Sequence, residues 1–364
     1  MSKPTVHIVY KKPRANTIIG KVFDKIGLNV PGIPALWRRG NHIAWKIPKR
    51  HPNSASFNLI GAFKKRGKIK FYDLWEKRAA GIREGDSFIG LPVQVYDGRS
   101  WDDPSIDCVT RRTLEKYNLQ GTIIIPYCHD LRYNQSTTGL IEKHGKNLII
   151  LSGKYWTDTW DQSPIKGYVK NLLRVNMGID PTEYPVIKKS FNPKGKRKYL
   201  YIGQSAWYKN TAELERIAAA IPGFEGGYIS TGEIKGWKKI ASWADLTPAY
   251  MEKLAEEYDI FVNVSSADPS PATILENMCF GFVVACTPES SYDYASLTRL
   301  HVSDTAFNVK QLLDLQQVDE SELFRRAQVN REIAIRDHNW EEITSKIVDF
   351  LERVKTEEGL FLVE

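Results

Sequence analysis

Two carboxylates, Asp268 and Glu276, stand eight positions apart in the stretch SSADPSPATILENMCFGFVVACTPESS at 265–291, around the start of a helix-like run. Ser270 is a good helix-capping residue type, and Pro271 suits the first helical position, where a missing N–H costs nothing. A helix begun there would direct the amides of Ala272, Thr273 and Ile274 out of its positive end, a ready site for phosphate. Glu276 lies five residues past Pro271, roughly 7.5 Å along the axis, while Asp268 stays in the preceding loop. The two acids therefore reach different ends of any ligand held there. A phosphate at the helix start, a hydroxyl-rich group near each acid and a crevice at strand ends describe a nucleotide-sugar pocket. Either acid alone is more often a cap or a surface charge; the combination carries the signal.

Two further stretches place reactive groups after strand-like runs. YLYIGQSAWYKNT at 199–211 ends a strand with Gly203 and Gln204 and continues to Lys209, which is either an anion ligand or a solvated loop lysine. IIIPYCHDLRY ends another with His129 and Asp130, at the edge where ligand loops gather. His129 is the catalytic candidate from this half; its alternative is a hydrogen-bonded structural histidine at the strand end.

The elements that must position these groups read as alternating strands and helices. TVHIVY, KIKFYDLW, SFIGLPVQVY, GTIIIPYC and NLIILS come first, then KYLYIG, GGYIS, DIFVNVS and GFVVAC. Such alternation indicates parallel sheets covered on both faces, hence an α/β fold. The polar run KKSFNPKGKRK at 188–198 reads as a linker between two such domains. After HNW at 338–340, Ile343, Ile347, Phe350 and Leu351 keep helical spacing, which predicts an amphipathic closing helix.

The order acid, seven residues, Glu, then Met, Gly and an apolar strand resembles the E-x7-E region of retaining glycosyltransferases of the GT-B fold, family 4. Here the pair is Asp268 and Glu276, with Asp where Glu is usual. The resemblance implies that Glu276 binds the ribose hydroxyls of a nucleoside-diphosphate sugar and that Asp268 faces the donor sugar. It also implies that Gly203, Gln204 and Lys209 lie along the donor diphosphate, with Gln204 standing where Arg is expected. A neutral hydrogen bond then replaces a charge-assisted contact. His-Asp at 129–130 matches a family position whose His points at the donor sugar. Gly20, in KKPRANTIIGKVF, falls where relatives carry an acceptor and phosphate loop. VNMGID at 175–180 and NWEEI at 339–343 resemble fold markers of the same family. The implied architecture is two Rossmann-like domains facing across a cleft, residues 1–187 and 188–340, with 341–364 crossing back to the first.

The implied reaction is sugar transfer with retention. Lys209, Gln204 and the helix start at 271–274 would stabilise charge developing on the leaving diphosphate, so that no metal and no cofactor beyond the nucleotide sugar is required. His129 and a backbone carbonyl would hold the sugar.

The acceptor is read from charge. The net charge is +8, yet residues 1–70 hold 16 Lys and Arg against the single acid Asp24. A basic field of this kind attracts anions. Trp37, Trp45 and Phe63 among these cations fit a peripheral membrane face approaching a lipid-linked acceptor or growing glycan. Packed aromatics beside a solvated rim fit equally well, and nucleic acid is a further, less favoured partner. Non-catalytic binding of a sugar nucleotide is the alternative from another functional class. No apolar run approaches the roughly 18 to 20 residues that span a bilayer, and Cys108, Cys128, Cys279 and Cys286 form no C-x-x-C pair. A cytoplasmic protein with free thiols is expected. GLIEKHGKN at 139–147 has the wrong glycine spacing for a Walker loop, and no G-x-G-x-x-G after a strand, no G-x-S-x-G and no metal-spaced His or Cys cluster occurs.

Overall fold

The computed structural model describes residues 5–10, parts of 59–91, residues 109–117, and 122–358 except 245. Gly20, Trp37, Trp45 and Cys108, with most of the basic first 70 residues, lie outside the described residues.

Two six-stranded sheets form the frame. The first contains β1 (Thr5–Tyr10), β2 (Lys68–Asp73), β3 (Ser87–Gly90), β4 (Thr122–Ile125), β5 (Asn147–Leu151) and β6 (Asn171–Val175). They are parallel, in the order β2-β1-β3-β4-β5-β6. With them go helices α1 (Val109–Tyr117), α2 (Leu131–His144) and the short α3 (Lys154–Asp158). The second sheet contains β7 (Tyr199–Ile202), β8 (Gly226–Ile229), β9 (Lys238–Ala241), β10 (Ile260–Asn263), β11 (Val283–Cys286) and β12 (Thr298–Arg299), again parallel. Its helices are α4 (Thr211–Ala220), α5 (Pro248–Glu257), α6 (Ala272–Phe280), α7 (Thr305–Gln317), α8 (Glu320–Asp337) and α9 (Trp340–Glu358).

The central strands TIII, NLIIL, YLYI, IFVN and VVAC are buried at every position. They therefore show no in-out alternation, as expected where helices cover both faces of a parallel sheet. The order of the second sheet, β12-β11-β10-β7-β8-β9, starts in the middle at β7, winds out to β9, then returns to β10 and winds out the other way. Between β7 and β10 the connections leave in opposite directions, which opens a crevice at the carboxyl ends of those two strands.

One contiguous core joins the sheets. It runs from Ile8, Ile124 and Ile149 through Val175, Met177, Ile179, Tyr184 and Ile187 to Leu200, Phe261 and Ile274, with Trp340, Ile343 and Ile347 of α9 packed into it. The Ile179 N–H donates to the His338 carbonyl at 2.7 Å, and His338 Nδ1 lies 2.6 Å from the Met177 carbonyl, tying the start of α9 to the chain leaving β6. Gly178 permits this approach, since a Cβ there would lie 2.3 Å from the Trp340 ring.

One reading of the sequence needs correction. Phe63 is 2% exposed and belongs to this core beside Leu59, so it cannot face a membrane. Residues 188–198, read as a linker, are anchored to the second domain at two buried cations. Lys188 is buried, pairs with Asp259 at 2.8 Å and donates to the carbonyls of Ala255 and Tyr258. The Arg197 guanidinium donates to the carbonyls of Leu315 and Val318 at the end of α7. These two charges are buried because backbone carbonyls and one carboxylate receive them. Among the described residues no helix is long and apolar enough to cross a membrane.

Candidate active site

The crevice predicted by the strand order is a cavity of about 650 Å³ at the carboxyl edge of the second sheet. Four neighbouring strands, β10, β7, β8 and β9, contribute their following loops. Gly203, Gln204 and Ser205 come after β7, Thr231 after β8, Ser242 and Trp243 after β9, and Asp268 to Thr273 after β10. Tyr133, from α2 of the other domain, completes the wall. A Cβ on Gly203 would lie 2.4 Å from the Tyr201 hydroxyl, so the chain can turn there only without a side chain.

Lys209 ends a short 3-10 turn, Trp207–Lys209, and the chain leaves it through Asn210 at φ 54°, a left-handed conformation that Asn tolerates. The Asn210 amide donates to the carbonyls of Val264, at 3.1 Å, and Val302, at 2.8 Å, which fixes the turn beside the end of β10. The Lys209 side chain is thereby held in the crevice, where it forms a buried ion pair with Asp268. Asp268 is itself held by its backbone. Its N–H donates to Glu289 at 3.0 Å, and its carbonyl accepts from the Trp156 indole at 3.0 Å and from the Ser291 hydroxyl.

The helix start differs in detail from the sequence reading. Ser270 is not the cap; Pro271, with ψ 104°, occupies that position, and α6 begins at Ala272. Ile274 does not offer its amide outward. That N–H donates to the Pro271 carbonyl at 3.1 Å to close the first turn, and its side chain is fully buried. The amides left to face the cavity belong to Ala272 and Thr273, which line it together with Ser270 and Pro271. One turn further, Glu276 is 1% exposed, lines the cavity floor and accepts a hydrogen bond from the Tyr184 hydroxyl at 3.3 Å. Burial, then the neighbouring Glu276 carboxylate, drive the Tyr184 hydroxyl well above its usual pKa, so it remains a donor.

His129 stands apart from this wall. Its Nε2 is 2.9 Å from both the carbonyl and the hydroxyl of Thr159, and its Nδ1 is 3.0 Å from the Tyr127 hydroxyl. A carbonyl can only accept, so Nε2 carries the proton and Nδ1 accepts from Tyr127. Burial lowers the pKa of His129, with the Thr159 contact opposing it, and the ring is neutral at pH 7. Asp130 caps α2, accepting from the Arg132 amide at 2.9 Å and pairing with the Arg132 side chain.

The two domains meet at this site. The Gly153 N–H donates to the Pro269 carbonyl at 2.8 Å and the Tyr155 N–H to the Ser291 carbonyl at 2.9 Å. Trp156 packs edge-on against His129, ring centroids 5.2 Å apart, within a small buried cluster that also holds Cys128, Tyr133 and Ala267. Cys128, Cys279 and Cys286 are free and buried, and burial raises all three thiols. Among the described residues no three His, Cys, Asp or Glu side chains converge as a metal site would need.

The fold at this point can be matched with known structures. A sucrose-phosphate synthase from Thermosynechococcus elongatus superposes with a TM-score of 0.65 over 97% of this chain and 99% of its own, at 9% identity. An alpha,alpha-trehalose-phosphate synthase (UDP-forming) from Burkholderia vietnamiensis gives 0.59 over 97% of each chain at 11% identity. HepE from Anabaena, solved in complex with UDP and glucose, gives 0.56 over 96% of this chain and 100% of its own at 11% identity. The chain has the GT-B fold. No protein-family model and no curated protein matches the sequence.

The structure thus brings Gly203, Gln204, Lys209, Asp268, Ser270, Pro271, Ala272, Thr273 and Glu276 to one cavity, buries Ile274 behind it, and leaves His129 outside its lining. Sequence reasoning missed Tyr133, Thr231, Ser242, Trp243, Tyr184 and Trp156. Thr231, Ser242 and Trp243 carry a usable signal, since each follows a strand of the same sheet at the edge where ligands bind.

Proposed function

We propose that this protein transfers a sugar from a nucleoside-diphosphate donor to an acceptor presented by the N-terminal domain, with retention at the anomeric carbon. The observation that carries the proposal is one cavity at the topological switch point, joining the start of α6, the buried Lys209–Asp268 pair and the buried carboxylate of Glu276. The diphosphate lies against the amides of Ala272 and Thr273 and the ammonium of Lys209, with Gln204 as a neutral donor. These groups are fixed before the reaction begins, so they stabilise the charge that builds on the leaving phosphate without reorganising. Glu276, oriented by Tyr184, accepts from the ribose hydroxyls. Asp268 sits where it can accept from the transferred sugar while balancing Lys209. In this reading Lys209 supplies positive charge beside the diphosphate, and no metal is required.

His129 acts in this scheme from the second rank. Burial keeps the ring neutral, its hydrogen bonds fix it, and its contact with Trp156 supports the loop that carries Asp268. The acceptor, a saccharide or a lipid-linked glycan, is assigned to the side of the cavity bounded by α2. The basic first 70 residues would bring the protein to an anionic membrane surface from the cytoplasm.

Donor binding and transfer by Glu276→Ala and Lys209→Ala test the assignment. Each variant should bind UDP or GDP at least about tenfold more weakly, the order expected for loss of a charge-assisted hydrogen bond. Unchanged affinity and full transfer in both would remove it. A donor screen in which nucleotide binds but no product forms would instead favour a binding module without turnover.

A further inference from the structure

We infer that Trp243 is the platform on which the base of the donor nucleotide stacks; this rests on the donor-site reading above and extends it to the far end of the same cavity. At 62% exposure Trp243 is the most exposed of the large hydrophobic side chains described, and it lines the cavity. An exposed indole at a cavity wall presents a flat apolar face that a ligand ring can cover. Its position is fixed nevertheless. Leu246, three residues on, is buried in the main core, and Ala241 and Ala244 pack against that core.

Strand order decides the ligand. The α6 start follows β10, and Trp243 follows β9; β7 and β8 lie between them. Three strand spacings separate the two ends by roughly 14 Å. A ligand with an anionic group at one end and a flat π-system at the other fits this span, and a nucleoside diphosphate has that layout. An acceptor sugar would sit elsewhere. The N-terminal domain meets the second sheet through Gly153, Tyr155 and Trp156, at the loops after β10 and β11, and through Arg132 and Tyr133, against Trp207 and Tyr208 after β7, all short of the β9 edge. Stacking on a flat face tolerates any base, while the Thr231 and Ser242 hydroxyls beside it can meet the base edge.

Calorimetric titration of UDP, GDP, ADP and inorganic pyrophosphate into the wild type, Trp243→Ala and Trp243→Phe tests the inference. Trp243→Ala should weaken the preferred nucleoside diphosphate by roughly tenfold to a hundredfold, leave pyrophosphate within about twofold, and be largely rescued by Trp243→Phe. The residue is exposed, so an unchanged melting temperature is expected to accompany the loss. Equal affinity of wild type and Trp243→Ala for the nucleotide overturns the platform while leaving the donor site intact, as does an equal loss for pyrophosphate. A wild type that binds none of the three nucleotides overturns both.

Discussion

Lys209 and Asp268 form a buried pair, so each depends on the other for more than ligand binding. Their side chains are about a tenth exposed, and removing one partner strands a charge in a poorly solvated site. Lys209→Ala and Asp268→Ala should each lower stability by about 3 kcal/mol or more, while the double variant costs less than the sum of the two. Thermal unfolding of the two single variants and the double checks this; strict additivity would show that the pair is not coupled. The residue types at 209, 268 and 276 and their association with strand ends were legible in the sequence. Their pairing was not. Lys209 and Asp268 are 59 positions apart, and only the return of the chain from β9 to β10, which sets β10 beside β7, brings them together. Tyr184 gave no local signal either, because its meeting with Glu276 depends on packing across α6.

Loops at the ends of parallel strands carry the site, and the clearest mechanical feature at this scale is the contact between α3 and the loop before α6. The Trp156 indole donates to the Asp268 carbonyl, and Gly153 approaches so closely that a Cβ would lie 2.3 Å from Cβ of Ser291. Trp156→Phe keeps most of the ring packing and deletes the donor. It should reduce kcat severalfold with a smaller change in donor affinity, because the Asp268 loop shifts while the α6 amides do not. Gly153→Ala should separate the two loops, at a cost of about 1–3 kcal/mol for overpacking, and lower transfer more than UDP binding. Steady-state kinetics alongside direct titration of UDP separates the two effects; parallel losses in kcat and affinity would place both residues in general stability instead. Strands such as NLIIL and VVAC were readable because buried parallel strands leave continuous apolar runs. The cap of α6 was misplaced by one residue because the extended ψ of Pro271 puts it outside the helix, a backbone choice its identity does not dictate. The packing of the segment 188–198 was not legible for a related reason. Composition records that Lys188 and Arg197 are charged, but not that helix-end carbonyls lie within reach.

Across the whole molecule, the two domains share one core and are closed by α9, whose first turn depends on a neutral histidine. His338 is fully buried; its Nδ1–H donates to the Met177 carbonyl, and its Nε2 accepts from the Tyr294 hydroxyl at 3.0 Å. Burial lowers its pKa from 6.5 to about 4, with the Met177 bond opposing the shift. The folded value lies below the unfolded one, so the unfolded chain binds the proton more readily between about pH 6.5 and 4. Stability contributed by the neutral ring is complete above pH 6.5, falls as pH drops through this window, and is diminished by about 3 kcal/mol at pH 4. Burial also leads the downward shifts of His7, His129 and His144, which act in the same direction. Protonation of His338 removes the acceptor for Tyr294 and charges the junction where α9 returns to β6. Melting temperature measured from pH 7.5 to 4.5 should therefore decline steeply for the wild type and less steeply for His338→Gln, which starts lower at pH 7.5 but has no proton to take up. Parallel curves for the two proteins would show that acid lability arises at the other histidines and that the α9 junction is indifferent to pH.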